Sequence, residues 1–338
     1  MATATRQPLD AISGPPFTPR RAPPRASPPA ARVSEVRRIA REWLLPSRSM
    51  RRRPGPPALG LLYIVAIAAL GGLATYHVLL GLLAGVLYLH NERTRLFLRT
   101  LFPLVLTGVL FDSMRYYYWP GIEGRVHVIE PYLFERAWFG IGGRTVNEIF
   151  LARHWPALDL AAGFAYVAFA AEYVGLVLLL FFRGRVDAAR TAARCFLLVN
   201  AMGFATYFVY PAAPPWWVTA NGLGAVPVRI HPGPAATIRF DALLGIHLFQ
   251  NMYGNGIDVF GSYPSLHVSY PFLALALAFL YRELRWARTP TVVFFLLICV
   301  SAVYLQHHYV TDVVLGIVYA AVALAAVLLL ERRAGSTR

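Results

Sequence analysis

The chain is poor in charged residues and in cysteine, and it contains no lysine. Charged residues make up 14% of the 338 residues and hydrophobic residues make up 57%, which is too apolar for an ordinary soluble domain. The two cysteines, Cys195 and Cys299, both lie in apolar runs, so the sequence indicates neither a disulfide framework nor a thiolate metal site. Composition therefore predicts an integral membrane protein.

The formal net charge of +15 is unevenly distributed along the chain. Residues 1–53 hold twelve arginines against three acidic residues, in a segment rich in proline. We expect residues 1–55 to form a disordered cytoplasmic tail that helps to set topology, and we predict no nucleic-acid partner. Within this tail, Val33 to Leu45 has the pattern of a helix that lies on an anionic membrane surface. No secretion signal is expected, because the first long apolar run begins after Arg53.

Apolar runs predict an all-α, polytopic membrane helical bundle. The first run, Ala58 to Leu89, would be about 48 Å long as one helix, against about 30 Å of hydrocarbon. Splitting it near Gly71-Gly72 gives two short spans, and the chain then has about eight spans. The other six predicted spans are Leu96 to Phe111, Leu158 to Phe182, Thr191 to Tyr210, Leu266 to Tyr281, Pro290 to His307 and Val310 to Leu330.

Arginine-bearing segments favour the topology with eight spans. Five of them, including both termini, then fall on the cytoplasmic side, whereas seven spans would place the N-terminal tail opposite the other four. In this topology His267 and His308 both reach the extracytoplasmic face. We therefore divide the chain into a tail at 1–55, N-terminal spans at 56–110, a catalytic membrane domain at 111–330 and a second tail at 331–338.

Two histidines and one aspartate at span ends are the strongest candidates for chemistry. Ionisable groups in such segments are costly and usually functional. Asp312 follows His308 by four residues, so on a helix the carboxylate would lie beside the imidazole and leave its other nitrogen free to attack. His267, from the start of another span, would supply a proton to a leaving alkoxide. The pattern predicts a nucleophile with an orienting group and an acid.

At these residues the chain resembles the type 2 phosphatidic acid phosphatase superfamily. The spacing of Ser301, His308 and Asp312 matches the third motif of that superfamily, and Pro264-Ser265-Leu266-His267 corresponds to its second. The arginine of the third motif is replaced by Ala302. In this respect the chain resembles one branch of the superfamily, the inositol phosphorylceramide synthases of the Aur type and their bacterial relatives. Two weaker likenesses to that branch are Pro211-Ala212-Ala213-Pro214-Pro215-Trp216 and Phe111-Asp112-Ser113-Met114-Arg115.

The resemblance implies a six-helix core and a mechanism without metal or other cofactor. His308 would attack phosphorus and form a phosphohistidine, while Asp312 stabilises the imidazolium. His267 would protonate the leaving oxygen and then act as base on the incoming hydroxyl.

Phosphate binding is harder to assign, because the lysine and the two arginines of the superfamily are missing. Candidates on the outer side are Arg115, which we expect to close a span, with Arg229 and Arg239. Ser265 at a helix N-terminus is a further candidate, and Ser301 would bind phosphate or bond a carbonyl one turn back. We expect His307 to point away from the site on a helix. Glu135 is placed in an outer loop with no assigned role.

These features favour a phosphotransferase acting on lipids in the bilayer. It would move a phospho-alcohol head group, phosphoinositol being favoured, from a glycerophospholipid to a ceramide-like hydroxyl. Two alternatives remain open at this point, a lipid phosphatase of the same superfamily and a non-enzymatic lipid transporter or scaffold. The absent lysine and arginines favour transfer, because a phosphodiester carries only one negative charge.

Overall fold

A computed structural model of the protein describes residues 55–70, 72–224, 226, 232–254, 256 and 260–336. Over these residues the secondary structure is helical, and no β-strand forms among them. The predicted surface helix at Val33 to Leu45 lies outside the described residues, as does Arg229.

The chain divides into two compact units, Met1–Thr94 and Arg95–Arg338. In the first unit, α1 (Gly55–Ala69) packs against α2 (Thr75–His90). The first helix ends at Ala69 and the second begins at Thr75, on either side of the predicted split, so two short helices form as predicted. The side chain of Asn91 then accepts hydrogen bonds of 2.9 Å from the backbone N–H groups of Arg93 and Thr94, and this capping starts the next helix.

The second unit contains six apolar helices that correspond to predicted spans, and several short helices. The six are α3 (Glu92–Ile122), which begins in the first unit, α6 (Pro156–Phe182), α7 (Val186–Val209), α11 (Leu266–Leu280), α12 (Arg288–Tyr304) and α13 (Val310–Ser336). The short helices are α4 (Ile129–Trp138), α5 (Val146–Ala152), α8 (Pro215–Asn221), α9 (Ile238–Leu244) and α10 (Leu248–Gly254), with 3₁₀ turns at Ala235–Thr237 and Arg282–Ala287.

Eight helices correspond to the eight predicted spans. Five of them, α3, α6, α7, α12 with its preceding 3₁₀ turn, and α13, are long and apolar enough to cross a membrane. The other three, α1, α2 and α11, are apolar but shorter. Large apolar side chains remain exposed along these helices, as at Leu83 and Val322, and lipid tails would cover such a surface. The fold is an all-α, polytopic membrane bundle, as predicted.

Helix α11 lies at the centre of the second unit and packs against α6, α7, α12 and α13. Its contact with α13 is especially close at Gly316, where an added Cβ would collide with the backbone carbonyl of Ser265. The hydroxyl of Ser269 donates to the Gly316 carbonyl at 2.9 Å. Glycine at this position therefore allows the first turns of the two helices to lie side by side.

Helix α3 is longer than the predicted span. It continues to Ile122 and stops where Gly124 adopts a φ of +72°, a conformation that commonly ends helices. The candidate membrane span within this helix is Glu92–Tyr116, so Arg115 lies at the end of that span, as predicted, and the helix continues beyond it. The connection between α3 and α6 also contains α4 and α5, and Glu135 lies on α4 within this connection.

Glu135 is fully buried and holds the start of α13. Its two carboxylate oxygens accept hydrogen bonds from the backbone N–H groups of Val310 and Thr311 at 3.0 and 3.1 Å. The Thr311 hydroxyl adds a third bond of 2.7 Å. A negative charge at a helix N-terminus is favourable, because it faces the positive end of the helix dipole.

We expect Glu135→Gln to destabilise the protein, because the amide NH₂ group would face donors and leave at least one of them unpaired. The expected loss is about 1–3 kcal/mol, measured by thermal unfolding in detergent. Glu130→Gln is the matched control on the same helix, since the Glu130 side chain is 65% exposed. Equal melting temperatures for the two variants would contradict the assigned role of Glu135.

Candidate active site

His308 lies in the short connection between α12 and α13. Helix α12 ends at Tyr304, and Gln306 has a left-handed φ of +67°, which turns the chain. The backbone N–H of His308 donates to the Ala302 carbonyl at 3.1 Å. The prediction that His307 points away from the site on a helix was wrong, because neither His307 nor His308 is helical.

The hydrogen bonds of His308 determine which ring nitrogen carries its proton. Nδ1 lies 2.9 Å from the Ser262 carbonyl oxygen and 3.4 Å from Oδ2 of Asp312. A backbone carbonyl can only accept, so Nδ1 of His308 is protonated. The lone pair of the neutral ring is therefore on Nε2, where a nucleophile needs it.

His267, the second residue of α11, meets that lone pair directly. Its Nδ1 lies 3.0 Å from Nε2 of His308. Since Nε2 of His308 is the acceptor, Nδ1 of His267 is the donor. The structure thus brings together the two histidines predicted from sequence, with a proton on the ring expected to act as acid.

Asp312 lies in the first turn of α13 and is fully buried. Its Oδ2 accepts a hydrogen bond of 2.9 Å from the backbone N–H of Tyr309. Its backbone carbonyl accepts one of 3.0 Å from the N–H of Ser265, the residue before α11. Asp312 therefore contacts His308 through its side chain and the start of α11 through its backbone.

Aromatic rings enclose the histidine pair. Tyr166 stacks on His267 with 4.5 Å between ring centroids, and Phe169 lies 4.4 Å away. His307 stacks on Tyr166 at 5.2 Å and on Tyr253 at 4.7 Å. Burial lowers the pKa of His307 to about 3, so this ring is neutral at physiological pH.

Two amide side chains fix the connection that carries His307 and His308. Nδ2 of Asn147, on α5, donates to the carbonyls of Val303 and His308 at 2.9 and 3.0 Å. In turn, Nε2 of Gln306 donates a hydrogen bond of 2.8 Å to the backbone carbonyl of Asn147. The backbone N–H of Trp216 donates to the Gln306 carbonyl at 3.0 Å, so the Pro-Pro-Trp element contacts the connection that carries His308.

Among the predicted phosphate-binding residues, the two serines lie close to the histidines in the chain. Ser265 precedes α11, and its buried hydroxyl has no partner within the described part of the chain. The hydroxyl of Ser301 donates to the Leu297 carbonyl at 2.7 Å. Of the two roles left open for Ser301, this geometry matches the bond to a carbonyl one turn back.

The two described arginine candidates pair with carboxylates elsewhere. Arg239 Nε lies 2.6 Å from Oδ1 of Asp159, and its guanidinium is 4.8 Å from the Tyr304 ring centroid. Arg115 pairs with Asp112 on its own helix. Neither of these ion pairs brings an arginine into contact with the histidine pair. The third candidate, Arg229, lies outside the described residues.

Sequence reasoning missed several residues of this site. The Ser262 carbonyl could not be found, because any residue supplies a carbonyl. Tyr166 and Glu135 carried a weak signal as polar side chains in a membrane domain. Over the residues that the structure describes, no three His, Cys, Asp or Glu side chains are grouped so that they could hold a metal ion.

Comparisons with known proteins identify the family of this chain. A family model described as the PAP2 superfamily matches residues 132–326. A phosphoinositol dihydroceramide synthase of Bacteroides thetaiotaomicron is 34% identical over 266 residues, which cover 76% of this chain and 85% of the relative. No solved structure matches the chain.

Fungal relatives are similar over a shorter stretch. An inositol phosphorylceramide synthase of Candida albicans is 30% identical over 179 residues, covering 52% of this chain and 37% of the relative. The catalytic subunit of inositol phosphorylceramide synthase from Saccharomyces cerevisiae is 33% identical over 122 residues, covering 35% and 29%. The family match spans more than half of the chain and includes both histidines, and the chain therefore belongs to the PAP2 superfamily.

Proposed function

We propose that this protein transfers a phospho-alcohol head group, most favourably phosphoinositol, from a glycerophospholipid to a ceramide-like hydroxyl. The transfer passes through a phosphohistidine at His308. The observation that carries this proposal is the 3.0 Å contact between Nδ1 of His267 and Nε2 of His308, with the opposite nitrogen of His308 held by the Ser262 carbonyl.

In the first half-reaction, Nε2 of His308 attacks phosphorus. The N–P bond forms as the bond from phosphorus to the diacylglycerol oxygen breaks, and the phosphodiester takes the place of the direct contact between the two rings. Nδ1 of His267 gives its proton to the leaving oxygen. The imidazolium that forms keeps its Nδ1 proton on the Ser262 carbonyl and lies beside the Asp312 carboxylate, which stabilises the positive charge.

In the second half-reaction, the acceptor hydroxyl gives its proton to the now neutral Nδ1 of His267. Its oxygen attacks phosphorus, and the N–P bond breaks. Both histidines return to their starting protonation states, so no proton is gained or lost over the cycle.

Burial of the site favours a lipid hydroxyl over water as acceptor. His308 is 3% exposed, and Asp312 is fully buried. The aromatic rings of Tyr166 and Phe169 cover His267. A phosphohistidine in such surroundings is shielded from hydrolysis.

Two further observations support the substrate class. The names of the relatives describe the synthesis of phosphoinositol dihydroceramide and inositol phosphorylceramide. In addition, the chain has no lysine with which to neutralise a phosphate dianion. A phosphodiester, with a single negative charge, makes a smaller electrostatic demand on the site.

We also place the active site on the extracytoplasmic face, with both termini in the cytoplasm. The histidines lie at the N-terminal ends of α11 and α13. Short arginine-bearing connections lie at the opposite helix ends, since Arg183 follows α6 and Arg282 follows α11. Arginine-rich short loops are typical of the cytoplasmic side.

The transfer is tested with purified protein in detergent, labelled phosphatidylinositol and ceramide, with the products separated by thin-layer chromatography. We expect a new ceramide-dependent phospholipid from the wild type. His308→Gln should make none, because the nucleophile is lost. His267→Gln should be slower by about 10²- to 10⁴-fold.

His247→Gln is the control for this experiment, because His247 is exposed just before α10 and forms a hydrogen bond with Gln250 on that helix. It should keep wild-type turnover. Release of inorganic phosphate from phosphatidic acid, with no new lipid, would instead identify a lipid phosphatase and contradict the proposed transfer.

Orientation is tested with single cysteines and a membrane-impermeant maleimide applied to intact cells. Ala137→Cys, on an exposed position of α4 near the site, should be labelled. Asp187→Cys, at the exposed start of α7, should be labelled only after the membrane is permeabilised. The reverse pattern would place the active site in the cytoplasm.

A further inference from the structure

Three buried polar atoms on the aromatic rings stacked next to His267 have no hydrogen-bond partner among the described residues. They are the hydroxyl oxygens of Tyr166 and Tyr253 and Nε2 of His307. Leaving such an atom unpaired costs about 1–3 kcal/mol, and native structures rarely tolerate several at one place without a function. Their concentration here indicates that a ligand supplies the missing partners.

The three side chains form a column of rings that ends at the proposed catalytic acid. Tyr253 stacks on His307 with an interplanar angle of 17°, and His307 stacks on Tyr166 with an angle of 23°. Tyr166 in turn stacks on His267 at 14°. The centroid of His307 is 6.4 Å from that of His267, so the column adjoins the position of the transferred phosphorus.

The protonation states of these groups define what they can bind. A neutral imidazole has one N–H group and one lone pair. Nε2 of His307 has no partner, and a ring with its proton on Nδ1 presents its lone pair there. The Pro234 backbone favours an N–H on this ring, since it raises the pKa of His307 against the effect of burial. Burial raises the pKa of Tyr253, which keeps its hydroxyl protonated. The column thus offers two hydroxyl donors and one nitrogen acceptor, and it carries no charge.

We propose that the Tyr253, His307 and Tyr166 column is the subsite for the phosphodiester and its polyol head group. The two tyrosine hydroxyls donate to the non-bridging oxygens of the phosphodiester. Nε2 of His307 accepts a hydrogen bond from a hydroxyl of the head group. This inference rests on the proposed function. The column would take the place of the lysine and the two arginines of the superfamily, which are missing from their usual positions in this chain.

An uncharged subsite suits this substrate class. A phosphodiester spreads one negative charge over two non-bridging oxygens, and each can accept a strong hydrogen bond from a neutral hydroxyl. The described arginine candidates cannot serve as readily, because Arg239 is paired with Asp159 and Arg115 with Asp112. A phosphomonoester dianion would be bound less well in such surroundings, since burying a second charge without a cation is costly.

The test uses tyrosine-to-phenylalanine variants, each of which removes one hydroxyl oxygen and keeps the aromatic ring. Tyr166→Phe and Tyr253→Phe should each lower kcat/KM for ceramide-dependent transfer by about 10- to 100-fold, since each loses a hydrogen bond to a charged group. Without substrate, Tyr166→Phe should melt at or above the wild-type temperature, because it removes an unpaired buried hydroxyl.

Tyr173→Phe is the matched control on the same helix. The Tyr173 hydroxyl is also buried, but it donates to the Ala192 carbonyl at 2.8 Å. This variant should melt at a lower temperature and keep kcat/KM within about twofold of the wild type. A purely structural role for Tyr166 would instead make the two variants behave alike.

A binding measurement separates this inference from the proposed function. In the His308→Gln protein, phosphatidylinositol in mixed micelles should raise the melting temperature, and adding Tyr166→Phe should abolish that shift. The inference is overturned if Tyr166→Phe and Tyr253→Phe keep both wild-type kcat/KM and the lipid-dependent shift. A wild type that binds the lipid through these tyrosines but makes no ceramide product would overturn the proposed transfer alone.

Discussion

The site depends on the close approach of the first turns of α11 and α13. The N–H of Ser265 donates to the Asp312 carbonyl at 3.0 Å, and Gly316 leaves room for the Ser265 carbonyl. Because His267 follows Ser265 by two residues and His308 precedes Asp312 by four, this one contact sets the distance between the two rings. The other supports act on groups that this contact has already brought together.

Neighbouring short helices hold the connection before α13 from outside the bundle. The carboxylate of Glu135 pairs with the first N–H groups of α13, and the amide of Asn147 pairs with carbonyls on either side of the turn. These bonds hold the connection in place, and the His308 ring adds to them through the hydrogen bond from its Nδ1 to the Ser262 carbonyl. Such support lets the histidine pair keep the lone pair on Nε2 of His308, which the proposed attack on phosphorus requires.

Much of this arrangement could be predicted from sequence, for reasons that differ between elements. The spans were found because backbone groups in lipid must be satisfied within helices, which makes apolar runs informative. The histidine pair was found because its spacing and topology place both rings at one face. The extent of α3 was missed, because its end depends on the conformation of Gly124. The position of His307 was missed because it depends on the left-handed turn at Gln306, which no periodicity signals.

The length of α11 determines how deep the chemistry lies in the bilayer. Its 15 residues span about 22 Å, whereas the hydrocarbon layer is about 30 Å thick. Arg282 and Arg285 follow the other end of this helix, and their charges keep that end at the aqueous boundary. Measured from that end, α11 is several ångströms shorter than the hydrocarbon layer is thick, and its first turn carries His267. A lipid diffusing sideways within its leaflet would meet a site at that depth with its acyl chains still solvated by neighbouring lipids, so neither partner would have to be lifted out of the membrane to react.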